Sequence, residues 1–127
     1  MIAREEMLPL LVAACPSFAR KWADYRERAT YDAELYYLHL AESARHLIEL
    51  EQSTQRAELD AVFAVVERLY LDGDEYVRTA ATVGFLEALQ NNARHAGLDP
   101  ERFTPYSLPE TKSHWNELNR FWSGEPA

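Results

Sequence analysis

Cysteine occurs once in this chain of 127 residues, glycine four times, and valine and isoleucine together eight times. A single thiol excludes an internal disulfide and a thiolate zinc site, and it suits a reducing compartment. Four scattered glycines provide no Gly-rich segment to cradle a phosphate or a dinucleotide, and no Ser-His-Asp pattern is present. Basic residues are scarce too: 13 Lys and Arg stand against 21 Asp and Glu, a formal net charge of −8. That balance excludes wrapping by DNA or RNA, which needs a basic surface. No run approaches the ~20 apolar residues of a membrane span. What the chain has in quantity is alanine (18) and leucine (16), within a composition that is 47 % hydrophobic and 27 % charged. Both lose little entropy on entering a helix, whereas β-branched residues and glycine lose more. Composition therefore predicts an all-α protein, one domain over residues 1–127 with a core of its own.

Residues 7–15, Met-Leu-Pro-Leu-Leu-Val-Ala-Ala-Cys, invite comparison with a processing signal. Val12-Ala13-Ala14-Cys15 resembles a bacterial lipobox, but Glu5 and Glu6 outnumber Arg4 where a signal peptide is positive, and Pro9 interrupts the apolar stretch. An amphipathic first helix accounts for the same letters, so a soluble cytoplasmic protein is expected.

Five to six helices in antiparallel pairs follow from the punctuation. The first spans about Arg4 to Ala14 and stops before Pro16; the second spans about Pro16 to Arg28. Thr30 is placed to cap a third, with Asp32 and Glu34 in its first turn and Tyr37, Leu40, Ala41, Ala44, Leu47 and Ile48 on one apolar face to about Glu51. After a break at Ser53-Thr54, Leu59, Val62, Phe63, Val66, Leu69 and Tyr70 mark the fourth. Asp72 with Glu75 reads as a capping-box variant for the fifth, which continues to about Ala96 with Gly97 at its left-handed C′ position. Gly84 inside that helix costs on the order of 1 kcal/mol relative to alanine, and close approach of a neighbouring helix explains it. Asp99-Pro100-Glu101 starts one short turn. Ser107 and Glu110 form a capping box for a last helix carrying Trp115, Leu118 and Trp122 on one face, which closes the core.

Asp74-Glu75-Tyr76-Val77-Arg78-Thr79-Ala80-Ala81 resembles the second helix of a HEAT-type repeat, implying HEAT-like stacking of the third to fifth helices with the fourth and fifth as the best-formed pair. Residues 59–91, with Leu59-Asp60-Ala61-Val62-Phe63, Val83-Gly84-Phe85-Leu86-Glu87 and Leu89-Gln90-Asn91, resemble a family of short uncharacterised helical bacterial proteins. That family is loosely associated with the neighbourhoods of polymorphic toxins and their immunity proteins. The resemblance covers about the last two-thirds of the chain and brings no catalytic motif. It implies a binding function.

Charge is distributed unevenly. Residues 31–76 hold 3 basic and 11 acidic side chains, so the whole negative excess lies there. A solvated face that keeps the protein soluble is the simpler account of such a cluster; a docking surface for a basic protein partner is the functional one. In the second reading Glu42, Glu49, Glu58, Asp60 and Glu67 meet the partner, with Tyr36 and Tyr37 as anchors. The resulting expectation is a non-enzymatic binding protein, plausibly of immunity type, masking a basic toxin. A helical scaffold or regulatory subunit is the alternative.

His39, Glu42 and His46 recur at i, i+3 and i+7, flanked by Asp32 and Glu49, and their chemistry suits zinc or iron. The spacing matches neither His-Glu-x-x-His nor Glu-x-x-His, so a solvent-facing polar stripe is expected, with a metal-dependent enzyme the third reading. No cofactor motif is present. Cys15, at the start of the second helix, reads as a small buried thiol.

Overall fold

The computed structural model describes residues 1–124 and is all-α. Its helices are α1 (Met7–Ala14), α2 (Ala19–Arg26), α3 (Tyr36–Gln52), α4 (Leu59–Asp72), α5 (Glu75–Ala80), α6 (Glu87–His95) and α7 (Pro109–Trp122). Short 3-10 segments at Arg4–Glu6 and Pro16–Phe18 lead into α1 and α2, and a longer one, Pro100–Tyr106, follows α6. Residues Ala81–Leu86 form a π segment that makes α5, itself and α6 one continuous helical run. No helix among the described residues is long and apolar enough to cross a membrane.

Local chemistry sets the ends. Gly97 takes φ 74°, and its N–H and that of Leu98 return to the carbonyls of Arg94 and Ala93, closing α6 as expected. α3 starts at Tyr36, well past Thr30. Asp32 is engaged in a turn instead: its carboxylate accepts the Glu34 N–H at 2.9 Å, and its carbonyl accepts the Leu35 N–H at 3.1 Å and the His39 ring N–H at 2.9 Å. The cap of α5 is Asp74, which accepts the Val77 N–H, and not Asp72, which is the last residue of α4. Arg78 of the HEAT-like motif donates to the Gly73 carbonyl at 2.9 Å, satisfying the turn after α4.

The core is continuous from Ile2 to Leu118 and centres on Phe63, Phe85, Phe103 and Trp115. α3 packs chiefly along the run from α5 to α6, and α4 packs chiefly on α1 and α7. The run's main partner is thus α3 and not the preceding α4. Gly84 explains the choice: a Cβ there would lie 3.0 Å from Leu40 Cδ1 and 3.3 Å from the Tyr37 Cα, so its absence lets α3 close on the π segment. Ile2 ties the chain start to the α4–α5 turn, with its N–H on the Asp72 carbonyl and its carbonyl taking the Asp74 N–H. Trp115 and Leu118 seal the core, whereas Trp122 is left 43 % exposed because the face turns away from the bundle at the helix end.

Ser107 does not cap α7. Its hydroxyl reaches back toward the Phe103 carbonyl, and Leu108 takes the cap position with no side-chain bond. The first amides of α7 are satisfied from another helix: Glu67 of α4, 8 % exposed, accepts the Glu110 N–H (3.0 Å), the Thr111 N–H (2.8 Å) and the Thr111 hydroxyl (2.8 Å). Burial pushes the Glu67 carboxyl upward, but these three donors outweigh it and hold it below the ordinary glutamate range. A depressed folded value means the contribution is complete above the unfolded pKa and lost as pH falls through the folded one. Glu67→Ala should therefore cost about 3 kcal/mol in urea unfolding at pH 7, by stranding three donors. The gap between wild type and variant should shrink as pH falls below about 4.5, the region where free glutamate titrates; a gap independent of pH would show that the carboxylate is not the cap.

Candidate functional site

The acids expected on a docking face have separate fates. Glu67 is the interior cap just described, and Glu51, 2 % exposed, accepts from Arg56, Arg102 and the Tyr106 hydroxyl, which bind the Pro100–Tyr106 segment to the end of α3. Glu58 is half-buried and turned onto the start of α2. Glu42 is paired with Arg45 and Glu49 with Lys21. Asp60 is exposed. An interior carboxylate must be met by donors and is unavailable to a partner, so Glu67 does not belong to an acidic docking face, whereas Glu58, half-buried at the edge of a groove, has both oxygens engaged by Cys15 and Ser17.

Tyr36 and Tyr37 do lie on a surface with the features of an interface. They sit half-buried in the first turn of α3, beside Leu35 and Leu38, which are 43 % and 56 % exposed. The two leucines form a ridge between two open hollows. One, of about 250 Å³, is lined by Tyr25, Tyr31, Glu42 and Arg45; the other, of about 230 Å³, by Glu34, Tyr36, Tyr37 and Tyr76. Arg4 lies over the Tyr36 and Tyr76 rings and Arg28 over Tyr25, at 5.2–5.8 Å, which holds the rings in place. Burial pushes the Tyr25, Tyr36 and Tyr76 hydroxyls upward, so each remains a protonated donor at neutral pH. Asp32 and Glu34 are exposed beside the ridge.

The repeating face of Tyr37, Leu40, Ala44 and Leu47 does not include these leucines. Their signal was present: Leu35 and Leu38 fall off that face, on the line that continues through Glu42, Arg45 and Glu49.

His39 and His46 are 2 % and 6 % exposed, so the histidines of the expected polar stripe do not face water, while its acids Asp32 and Glu49 do. Both rings pack among aromatic residues: His39 against Trp22 and Tyr25 of α2 and Tyr31 of the loop after it, His46 against Phe18 of the 3-10 segment before it. Nor do His39, Glu42 and His46 converge, since His39 donates to the Asp32 carbonyl while His46 faces Ser17. Burial, the largest influence, lowers both imidazoles, which are neutral at pH 7.

What converges with His46 is Cys15, Ser17 and Glu58. The Cys15 thiol donates to Glu58 Oε2 at 3.1 Å, as does the Ser17 hydroxyl at 2.5 Å, and the Ser17 N–H donates to Oε1 at 3.0 Å. The Ser17 hydroxyl has only one proton, so at its 2.8 Å contact with His46 it accepts from Nε2–H. Glu58 thereby caps, from outside, the 3-10 turn that leads into α2, as Glu67 caps α7. Burial acts to raise Glu58, yet the Ser17 and Cys15 bonds hold it below the ordinary range. Burial first, then the bond to Glu58, pushes the Cys15 thiol up to about 11. Only the thiolate is nucleophilic, so native Cys15 should resist iodoacetamide at pH 8 and alkylate fully in urea, as intact mass reads directly. Rapid labelling of the folded chain would refute that burial.

No curated protein and no solved structure matches the chain. A family model described as a domain of unknown function (DUF7674) matches residues 8–123. That match spans nearly the whole chain and every element from α1 to α7, and the protein belongs to this family.

Proposed function

We propose that this is a non-enzymatic protein-binding domain whose partner docks on the ridge at the start of α3. The observation that carries the reading is the exposure of Leu35 and Leu38 between two tyrosine-lined hollows. Tyrosines held by neighbouring arginines offer large contact area at little further entropic cost, and an apolar centre with polar surroundings is the anatomy of an interface core. The exposed Asp32 and Glu34 and the net charge of −8 favour a partner with a basic rim. An immunity-type role, covering a basic toxin, is the form of binding this chemistry supports, with Tyr36 and Tyr37 as anchors. The acidic contribution then comes from Asp32, Glu34 and Asp60 more than from Glu58 or Glu67. The second reading, a scaffold or regulatory subunit, is favoured by a separate apolar patch, Phe121 with Trp122 at the end of α7.

The test is affinity capture from the native host, run in parallel with tagged wild type and with the double variant Leu35→Asp, Leu38→Asp. The expected outcome is one basic protein retained by wild type, loosened by high salt, and lost by at least tenfold from the variant. Equal retention by both would place the interface elsewhere, and a salt-insensitive partner on α7 would favour the scaffold.

A further inference from the structure

We propose that Cys15, His46 and Glu58 form a binding site for one zinc-type divalent transition-metal ion, with the Ser17 hydroxyl or a water as fourth ligand. The three residues come from three elements and each contributes a different donor: thiol sulfur, imidazole Nε2 and carboxylate oxygen. Their ligand atoms all lie within 4.8 Å of one another, and Cys15 and His46 are buried. A tetrahedral site with bonds of about 2.0–2.3 Å spaces its ligands roughly 3.3–3.7 Å apart, so the cluster needs to contract by only about 1 Å. The Ser17 hydroxyl sits among them, 2.8 Å from the imidazole, 2.5 Å from the carboxylate and 3.7 Å from the sulfur. The expectation drawn from a lone cysteine considered sulfur alone; a mixed sulfur, nitrogen and oxygen set does not need a second thiol. Such a set suits zinc, cobalt or iron and not calcium or magnesium, which prefer oxygen throughout.

A second observation points to a ligand independently of the cluster. With its proton on Nε2, His46 leaves Nδ1 buried and without a hydrogen-bond partner. That nitrogen faces Glu49 Oε2 at 3.8 Å, where two acceptors confront each other. A metal at Nε2 requires the proton on Nδ1, which then points at the Glu49 carboxylate. The orphan is repaired, and the carboxylate–histidine–metal arrangement typical of such sites results. The proton balance is simple: the imidazole proton moves from Nε2 to Nδ1, and the Cys15 thiol proton leaves to solvent, one per ion bound. Ser17 and Glu58 also line an open groove of about 500 Å³ that includes Arg56, which gives the ion a route in and its open position access to solvent.

The test uses the full chain, reduced and metal-free, titrated with Co²⁺. The site predicts saturation at one equivalent with a near-ultraviolet sulfur-to-cobalt charge-transfer band, reversed by Zn²⁺. Because the chain has one cysteine, that band reports Cys15 alone. It should vanish in Cys15→Ser, with helix content by circular dichroism confirming the fold. Glu49→Gln alters an exposed side chain and threatens the fold least; it should weaken Co²⁺ about tenfold while leaving the band in place. No band in folded wild type, or uptake unchanged by Cys15→Ser, overturns the site. Unchanged affinity in Glu49→Gln overturns the role assigned to the Nδ1 proton.

Discussion

A carboxylate moved out of water is tolerable only where donors surround it, and three glutamates of this chain impose that condition on the whole bundle. Glu67 gathers the first amides of α7, Glu58 accepts the Ser17 amide and hydroxyl in the 3-10 turn that leads into α2, and Glu51 gathers the nearby Arg56 together with Arg102 and Tyr106 from much later in the chain. Two of the three solve one recurrent problem. A helix begins with unpaired N–H groups carrying partial positive charge, and neither α2 nor α7 has a local side chain positioned to meet them. α4 meets both, from its N-cap position and from its middle. It thereby holds the starts of both segments from one helix, while Gly84 sets how closely α3 approaches the α5–α6 run.

This internal use of acid changes what the net charge means. Part of the excess in residues 31–76, at Glu51, Glu58 and Glu67, is held by backbone amides, arginines and hydroxyls, while Asp32, Glu34, Asp60 and Glu75 stay exposed. Under the proposed binding role, recognition rests on shape and apolar area, supplied by the leucine ridge and its tyrosines, with charge acting at the margin through Asp32 and Glu34. Buried histidines behave consistently with this picture. His39 is satisfied by a backbone carbonyl within an aromatic cage, and its role is structural. His46 is only half satisfied, and the unpaired nitrogen sets it apart from every other buried side chain except Gln90 among the described residues.

Legibility in the sequence followed range. The face of Leu59, Val62, Phe63, Val66, Leu69 and Tyr70 could be read from its spacing, as could the Gly97 stop and the tight packing at Gly84. Caps were less legible, because a side chain at Thr30, Asp72 or Ser107 can only offer a bond that a distant carboxylate or a local turn then pre-empts. The candidate site was the least legible of all. Cys15, Ser17, His46 and Glu58 lie 43 positions apart at the extremes and share no motif, and nothing in their local spacing marks them as neighbours.

The sequence by itself determined the helical class, most helix cores and the absence of a phosphate-binding loop, because propensity and periodicity act over three or four residues. Only the tertiary structure decided which acids face water, which helices pair, and which buried histidine keeps an unpaired ring nitrogen. Those outcomes depend on burial, and burial is a property of the assembled bundle: chemically identical glutamates become a cap at Glu67, an ion pair at Glu42 or a solvated charge at Glu34 according to what packs opposite them.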